Sequence, residues 1–321
     1  MNLRVVGLHP IFDHTDLHAM NMNRILLILG LLALGSGGTA QLGAPDIGLV
    51  VGISNYLGDI GNGTTARRPF IYDLQAQETR FTIGAQALYD FDRVWAVRGG
   101  VQYIGIGGDD AHTKYGPRRA RNLHFRNNLI EVSARAEGYW RPSQSFSTGG
   151  GLPAIYGFAG LGVFYSNPQA REIGSTSEVV AVWQNLRPER TEGVAYSPIG
   201  IAVPFGVGAK WVVNGGWQVG VEICYRITTT DYLDDISGFY ADRPLTSRAT
   251  AESIAAAGAN AGSLDQHRFN PNGTTLRGNP NNNDGYGTIQ LTLSKASART
   301  VSIGGKRIGT KKYERHPAFW Q

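Results

Sequence analysis

The sequence has one cysteine, Cys224, in 321 residues. That excludes an internal disulfide framework and a two-cysteine metal site. Cys224 falls in the middle of an alternating segment, where a thiol serves as a small apolar side chain. Charged residues are only 17% of the chain, and few stretches favour long helices. Beyond residue 34 no stretch approaches the 18 apolar residues that a membrane-spanning helix needs. Catalytic combinations are also scarce. Histidines 112, 124, 267 and 316 are expected in loops or the tail, and none shares a strand with a serine and a carboxylate. The glycine pairs Gly105 with Gly107, and Gly160 with Gly162, are expected in strands; no helix follows, so they are not phosphate loops. No catalytic residue, metal ligand or cofactor is assigned.

What the sequence has is alternation. In the segment 216–228, Trp217, Val219, Val221, Ile223, Tyr225 and Ile227 share one parity, while Gln218, Gly220, Glu222, Cys224, Arg226 and Thr228 share the other. A strand sends successive side chains to opposite faces, so this segment has an apolar wall and a charged wall. Seven more segments repeat the pattern, with apolar sets Ile47 to Ile53, Phe81 to Tyr89, Trp95 to Tyr103, Ile130 to Trp140, Ile155 to Tyr165, Phe205 to Val213 and Ile289 to Leu293. Their connections sort by length. Short ones fall at 91–93 and at Asn214, Gly215 and Gly216, a hairpin signal; 141–152 is moderate. Long ones fall at 58–79, 108–128, 167–197 and 231–283. Short turns on one side and long loops on the other predict an all-β fold: an eight-stranded antiparallel outer-membrane barrel, apolar wall to lipid and polar wall to lumen. Tyr56, Tyr89, Trp95, Tyr103, Trp140, Tyr165, Trp211, Trp217, Tyr225 and Tyr286 are expected in two girdles at the headgroup levels.

An eight-stranded barrel has an interior that side chains fill. The inward parity carries Arg80, Arg98, Arg135, Lys210 and Arg226 against Asp90, Glu131, Glu137 and Glu222. These nearly balanced charges predict an ion-pair network that plugs the lumen. Asp109 with Asp110, and Asp231 with Asp234 and Asp235, are acid clusters at loop bases. Hard oxygen ligands suit calcium, but the EF-hand spacing is absent, and aspartates that stabilise turns are the commoner explanation. The long last loop ends in the Asn-rich stretch 278–284, low in apolar residues and expected to be mobile.

The ends are addresses and appendages. Arg24, the apolar core 25–34 and small residues up to Ala40 read as an export signal over residues 1–40, with the true start at Met20 or Met22. The barrel is expected over 41–294. The tail 295–321 holds seven basic residues and one acid, and so accounts for a net charge of +5 on the whole chain. An exported chain makes nucleic acid a poor partner. Anionic headgroups or an acidic periplasmic protein fit better, with Lys306, Arg307, Lys311, Lys312, Phe319 and Trp320 as the expected contacts.

Several short elements, taken in order, carry a resemblance. They are Asn55, Tyr56, Gly58 and Asp59; Asp109 and Asp110; Arg121, Asn122 and Phe125; Asn167 and Pro168; Thr191, Glu192 and Gly193; and Thr230, Asp231, Tyr232, Asp234 and Asp235. Over roughly residues 47–240 the chain resembles the PorG-type outer-membrane barrels of the Bacteroidetes type IX secretion system. The resemblance implies a non-enzymatic component of a protein-secretion machine, associated with a periplasmic ring of PorK-like and PorN-like subunits. The long Asn-rich insert and the tail depart from the family pattern. Two rivals stand beside this expectation. One is a structural or adhesive small barrel of the OmpA or OmpX kind. The other is an outer-membrane hydrolase, which would need a nucleophile and base at one rim.

Overall fold

The computed structural model describes residues 44–61, 74–91, 94–121, 123–141, 152–171, 183–213, 216–239, 277–296, 300–303 and 306–310. Eight strands form the barrel: β1 (Asp46–Leu57), β2 (Arg80–Asp90), β3 (Trp95–Asp109), β4 (His124–Arg141), β5 (Ala154–Tyr165), β6 (Ile199–Val212), β7 (Trp217–Thr228) and β8 (Gly285–Lys295). Each pairs antiparallel with its neighbours in sequence, and β8 returns to pair with β1 from Ile47↔Lys295 to Leu57↔Gly285, so the sheet closes. Closure removes both edges, and every ladder has a partner.

Period two decides which wall faces lipid. On β1, Ile47, Leu49, Val51 and Ile53 point outward and are 46–60% exposed, while the alternate residues are buried or nearly so. Phe81 and Ile83, Val101, Ile130 and Val132, Leu161 and Val163, Val207, Ile223, and Leu291 continue the same band around the barrel. Burying one such side chain gains about 1.5–3 kcal/mol, so a continuous outward band of them belongs in a bilayer. At 11 to 18 residues the strands are long enough to cross the hydrocarbon layer at the usual tilt. Among the described residues no helix is long and apolar enough to cross. The protein is an eight-stranded transmembrane outer-membrane β-barrel with short periplasmic turns and long extracellular loops.

Four expectations change. First, β3 and β4 run beyond the barrel rim, with register continuing to Asp109↔His124. Asp109, His124 and Phe125 are therefore strand residues, because Ile104, Ile106, Phe125 and Leu129 turn inward onto a buried apolar layer that rewards the extra pairing. Second, Tyr56 and Tyr286 are not girdle residues; they are 2% and 0% exposed and sit inside. Trp95, Trp140, Tyr165 and Trp217 do face outward. Third, the Asn-rich stretch is anchored at both ends, with Arg277 and Asp284 buried and the Asn279 N–H donating to Asp59, while residues 280–283 are exposed. Fourth, Arg80 stands at the outer rim of β2, 40% exposed, and pairs with Glu78 at 3.0 Å instead of joining the lumen network. The last inward position of a strand lies beyond the point where opposite walls meet, so its cation turns to the nearest loop acid.

The tail contributes a short antiparallel pair, Thr300–Ile303 with Lys306–Thr310, which carries Lys306 and Arg307. The export-signal residues, Asn122, Lys311, Lys312, Phe319 and Trp320 lie outside the described residues.

Candidate functional site: the lumen network and the outer cap

In the lumen, Glu222 of β7 is the hub. Its Oε1 accepts from Arg98 Nη1 of β3 and, at 2.6 Å, from the Tyr156 hydroxyl of β5. Its Oε2 lies 3.2 Å from Arg135 Nη1 of β4. Arg98 also lies 2.5 Å from Glu137 and donates to Gln86 at 3.0 Å. A second centre joins Arg226 to Glu131 at 2.8 Å, with Arg226 donating to Thr288 and Gln102 and Tyr286 donating to Glu131 at 2.7 Å. Lys210 donates to the Tyr139 hydroxyl at 2.7 Å, which donates to Glu137 at 2.8 Å. The predicted network thus forms from Arg98, Glu131, Arg135, Glu137, Lys210, Glu222 and Arg226. Asp90 is half-buried at the periplasmic end of β2. Parity also places Tyr139 and Tyr156 in the lumen, and Tyr286, whose ring suggests a girdle, follows its parity there. Arg135 lies over the Phe158 ring at 4.7 Å, and Cys224 packs against Tyr156 and Phe158.

Outward from this network lies an apolar layer of Ile104, Ile106, Leu129, Phe164, Leu233 and Ile236. Above it the loop bases fold into a cap, and the motif residues that are far apart in sequence come together there. Tyr56 is the pivot. Its ring meets Phe125 edge-on at 4.8 Å. Its hydroxyl contacts Asp284 Oδ1 and lies 2.7 Å from Asp234 Oδ2, and the Asp59 backbone N–H donates to it at 3.1 Å. Gly58 has to be glycine here, since a Cβ would strike the Tyr56 hydroxyl and Asp284.

Guanidinium groups stitch the loops together. Arg121, on the one-turn helix α1 (Gly116–Arg121), grips Asp110 with Nε at 2.7 Å and Nη2 at 3.0 Å, and donates to the carbonyls of Arg277 and Asp59. Arg277 donates to the Asp235 carbonyl, to Thr191 at 3.0 Å and to Glu192 at 3.3 Å. Glu192 accepts from the backbone N–H groups of Ser237 and Gly238 at 2.9 and 2.8 Å. Thr191 donates to Asp235 at 2.6 Å. Gly193 takes a positive φ of 77°, which suits the turn that aims Glu192 inward. Tyr232 stacks on Tyr196 at 4.5 Å, and Thr230 accepts from the Asp284 N–H. The Asn167 backbone N–H donates to Asn127 Oδ1 at 3.0 Å, and the Pro168 carbonyl accepts from the Leu186 N–H. Asp231 is buried in the same cap, and Asp109 caps the turn at Ala111.

The sequence reading missed Asn127, Arg277 and Asp284. Asn127 and Asp284 carry the inward parity of β4 and β8, which was their signal. Arg277 carried none, because its role depends on loops from elsewhere in the chain.

Among the described residues the cap holds more acids than cations. Burial, reinforced by Asp59, pushes Asp234 well above the usual carboxylate range. Burial, reinforced by Asp234 and Asp231, does the same to Asp284. Asp235 is raised by burial, against the pull of Arg277. Proton counting reaches the same point. A phenol has one proton, yet the Tyr56 oxygen lies within hydrogen-bond distance of two carboxyl groups, so one of the two must carry a proton and donate it. On the outer face, Glu78, Asp109 and His112 bring ligand-type atoms within 4.8 Å of one another, partly exposed. His124 stacks edge-on against Trp183 at 6.0 Å.

Barrel closure, the lipid-facing band and a filled lumen define the class: an outer-membrane β-barrel. The model of the outer membrane protein beta-barrel domain matches residues 25–243, and the chain belongs to that family. The match ends before β8, the strand that closes the barrel. Two crystal structures of Ail, the attachment invasion locus protein of Yersinia pestis, match the chain, one of them in complex with the heparin analogue sucrose octasulfate. They show 10% identity over 78% of this chain and 98% of theirs, with TM-scores of 0.30 and 0.28. No curated protein matches the chain.

Proposed function

We propose that the protein is a non-enzymatic outer-membrane component of a type IX protein secretion system, associating with periplasmic ring subunits of the PorK and PorN kind. The observation that carries this is the cap. All the described residues of the PorG-like motifs lie in or beside one buried, cross-braced body, as expected if the motifs preserve a shared part of a machine. A lumen braced by Glu222, Arg98 and Arg226 suits a rigid anchor and not an open conduit. β8 ends at Lys295 on the side of the short turns, so a basic tail following it would meet a periplasmic ring. Deleting the gene in the native host tests the reading. Type IX substrates should disappear from the medium and accumulate inside, with the outer membrane intact; normal secretion would end it. Deleting 296–321 should lower recovery of ring subunits with the tagged protein.

The extracellular position of the braced cap favours a second reading, a structural or adhesive barrel of the OmpA or OmpX kind. In that case deletion leaves secretion normal and weakens surface attachment. A hydrolase is the third reading, with His112 beside Glu78 and His124 against Trp183. Replacing both histidines should leave the secretion phenotype unchanged.

A further inference from the structure

On the outer wall, the apolar band of β3 and β4 ends at the pair Tyr103↔Ile130. The next outward pairs toward the cell surface are Gly105↔Asn128 and Gly107↔Arg126. Gly105 and Ile106 floor a half-open trough across β3 of about 540 Å³. Its lower wall is apolar: Ile53, Phe81 and Tyr103, with the two rings stacked at 5.4 Å. Its upper wall is polar: Thr79, Arg80, Arg126 and Asn128, with no carboxylate among the lining residues. Arg80 lies across Gly107, where a Cβ would meet its Nε at 3.1 Å and its Nη2 at 3.2 Å. That Nε has no hydrogen-bond partner. Glu78 takes one edge of the Arg80 guanidinium, and Arg126 is held by Gln169 at 2.9 Å over the Trp183 ring at 4.1 Å.

We propose that this trough is a binding site for a lipid of the outer leaflet that bears a phosphate near its acyl chains. The trough sits where the hydrocarbon band gives way to polar side chains, which is the depth of a lipid phosphate. The apolar lower wall takes the start of an acyl chain. Arg80 and Arg126 offer charge-assisted hydrogen bonds to the phosphate oxygens, and guanidinium forks match that geometry. Trp183 and Gln169 hold Arg126 toward the trough, so little side-chain freedom is lost on binding. The proposal is independent of any role in secretion.

The full-length protein is reconstituted in phosphatidylcholine nanodiscs carrying a small fraction of a phosphorylated glycolipid. Lipids retained after gentle release are counted by native mass spectrometry. The wild type should keep one phosphorylated glycolipid and should not keep its dephosphorylated form. The Arg80→Ala and Arg126→Ala double variant should lose retention by about tenfold or more. Gly105→Val keeps both arginines but crowds Arg80 and the Phe81 backbone, and it should lose retention too. Folding of each variant is checked by heat-modified mobility on gels, and a glutamine double variant that folds serves if the alanine one does not. Equal retention by folded variants, equal retention of the dephosphorylated lipid, or displacement by millimolar inorganic phosphate would each overturn the proposal.

Discussion

In the lumen, Arg98, Arg135 and Arg226 meet Glu137, Glu222 and Glu131 within hydrogen-bonding range, and tyrosine hydroxyls and glutamine amides add further hydrogen bonds. In the cap, Asp59, Asp110, Asp231, Asp234, Asp235, Asp284 and Glu192 are all buried around Arg118, Arg121 and Arg277. Both regions are buried and charged, but among the described residues only the first has cations to match its acids. The cap makes up the difference with backbone N–H donors and a shared proton at Tyr56. The lumen network is therefore expected to withstand a change of pH, and the cap to depend on it.

The largest effect should come from unbalancing the lumen. Glu222→Ala leaves Arg98 and Arg135 buried without their shared partner, and should cost about 3–5 kcal/mol. The check is urea unfolding of the detergent-folded barrel. Removing Arg277 should come next, at about 2–3 kcal/mol, because it strands Glu192 and Asp235 together. That loss should fall on the cap, seen as faster amide exchange at residues 232–238 while the barrel strands stay protected.

Titration separates the two regions most directly. Asp234 and Asp284 have folded pKa values above the ordinary aspartate value of 3.8, so they favour the folded cap below that value and lose the contribution as pH rises through their folded values. Limited proteolysis of the loops should therefore quicken as pH is raised. Asp234→Asn should flatten that dependence. A dependence of equal size in barrel unfolding would show that the regions do not differ as described. A smaller change follows from Tyr56→Phe. It deletes the proton bridge but keeps the Phe125 contact, and should weaken the cap by about 1–3 kcal/mol. Smallest should be Tyr232→Ala, which removes the stack on Tyr196 for about 0.5–1.5 kcal/mol beyond area burial. Each change to the cap should leave heat-modified mobility of the barrel unaltered.

The architecture was legible because the code for a barrel strand is local. Side chains alternate with period two, and Ile47, Leu49, Val51 and Ile53 against Gly48, Val50 and Ser54 reveal the two walls without any partner strand. Loop sorting and inward charges followed from the same arithmetic, and Arg98, Glu131, Arg135 and Glu222 fell where parity put them. Where two local signals conflicted, parity was the stronger: Tyr56 and Tyr286 carry the inward parity, and they are inside although their ring chemistry also suits a girdle. An aromatic ring has no direction of its own, whereas the pleat fixes the direction of every side chain on the strand.

The sequence by itself determined the eight strands, their walls and the balanced charges of the lumen. Only the tertiary structure decided what the loops do. Tyr56 and Asp284 are 228 residues apart, and Tyr56 and Asp234 are 178 apart. Nothing in either neighbourhood states that they share a proton. Arg80 left the lumen network and Arg277 entered the cap for the same reason. A charge at a strand end or in a loop takes whichever partner barrel closure brings within reach, and that distance does not exist until β8 has paired with β1.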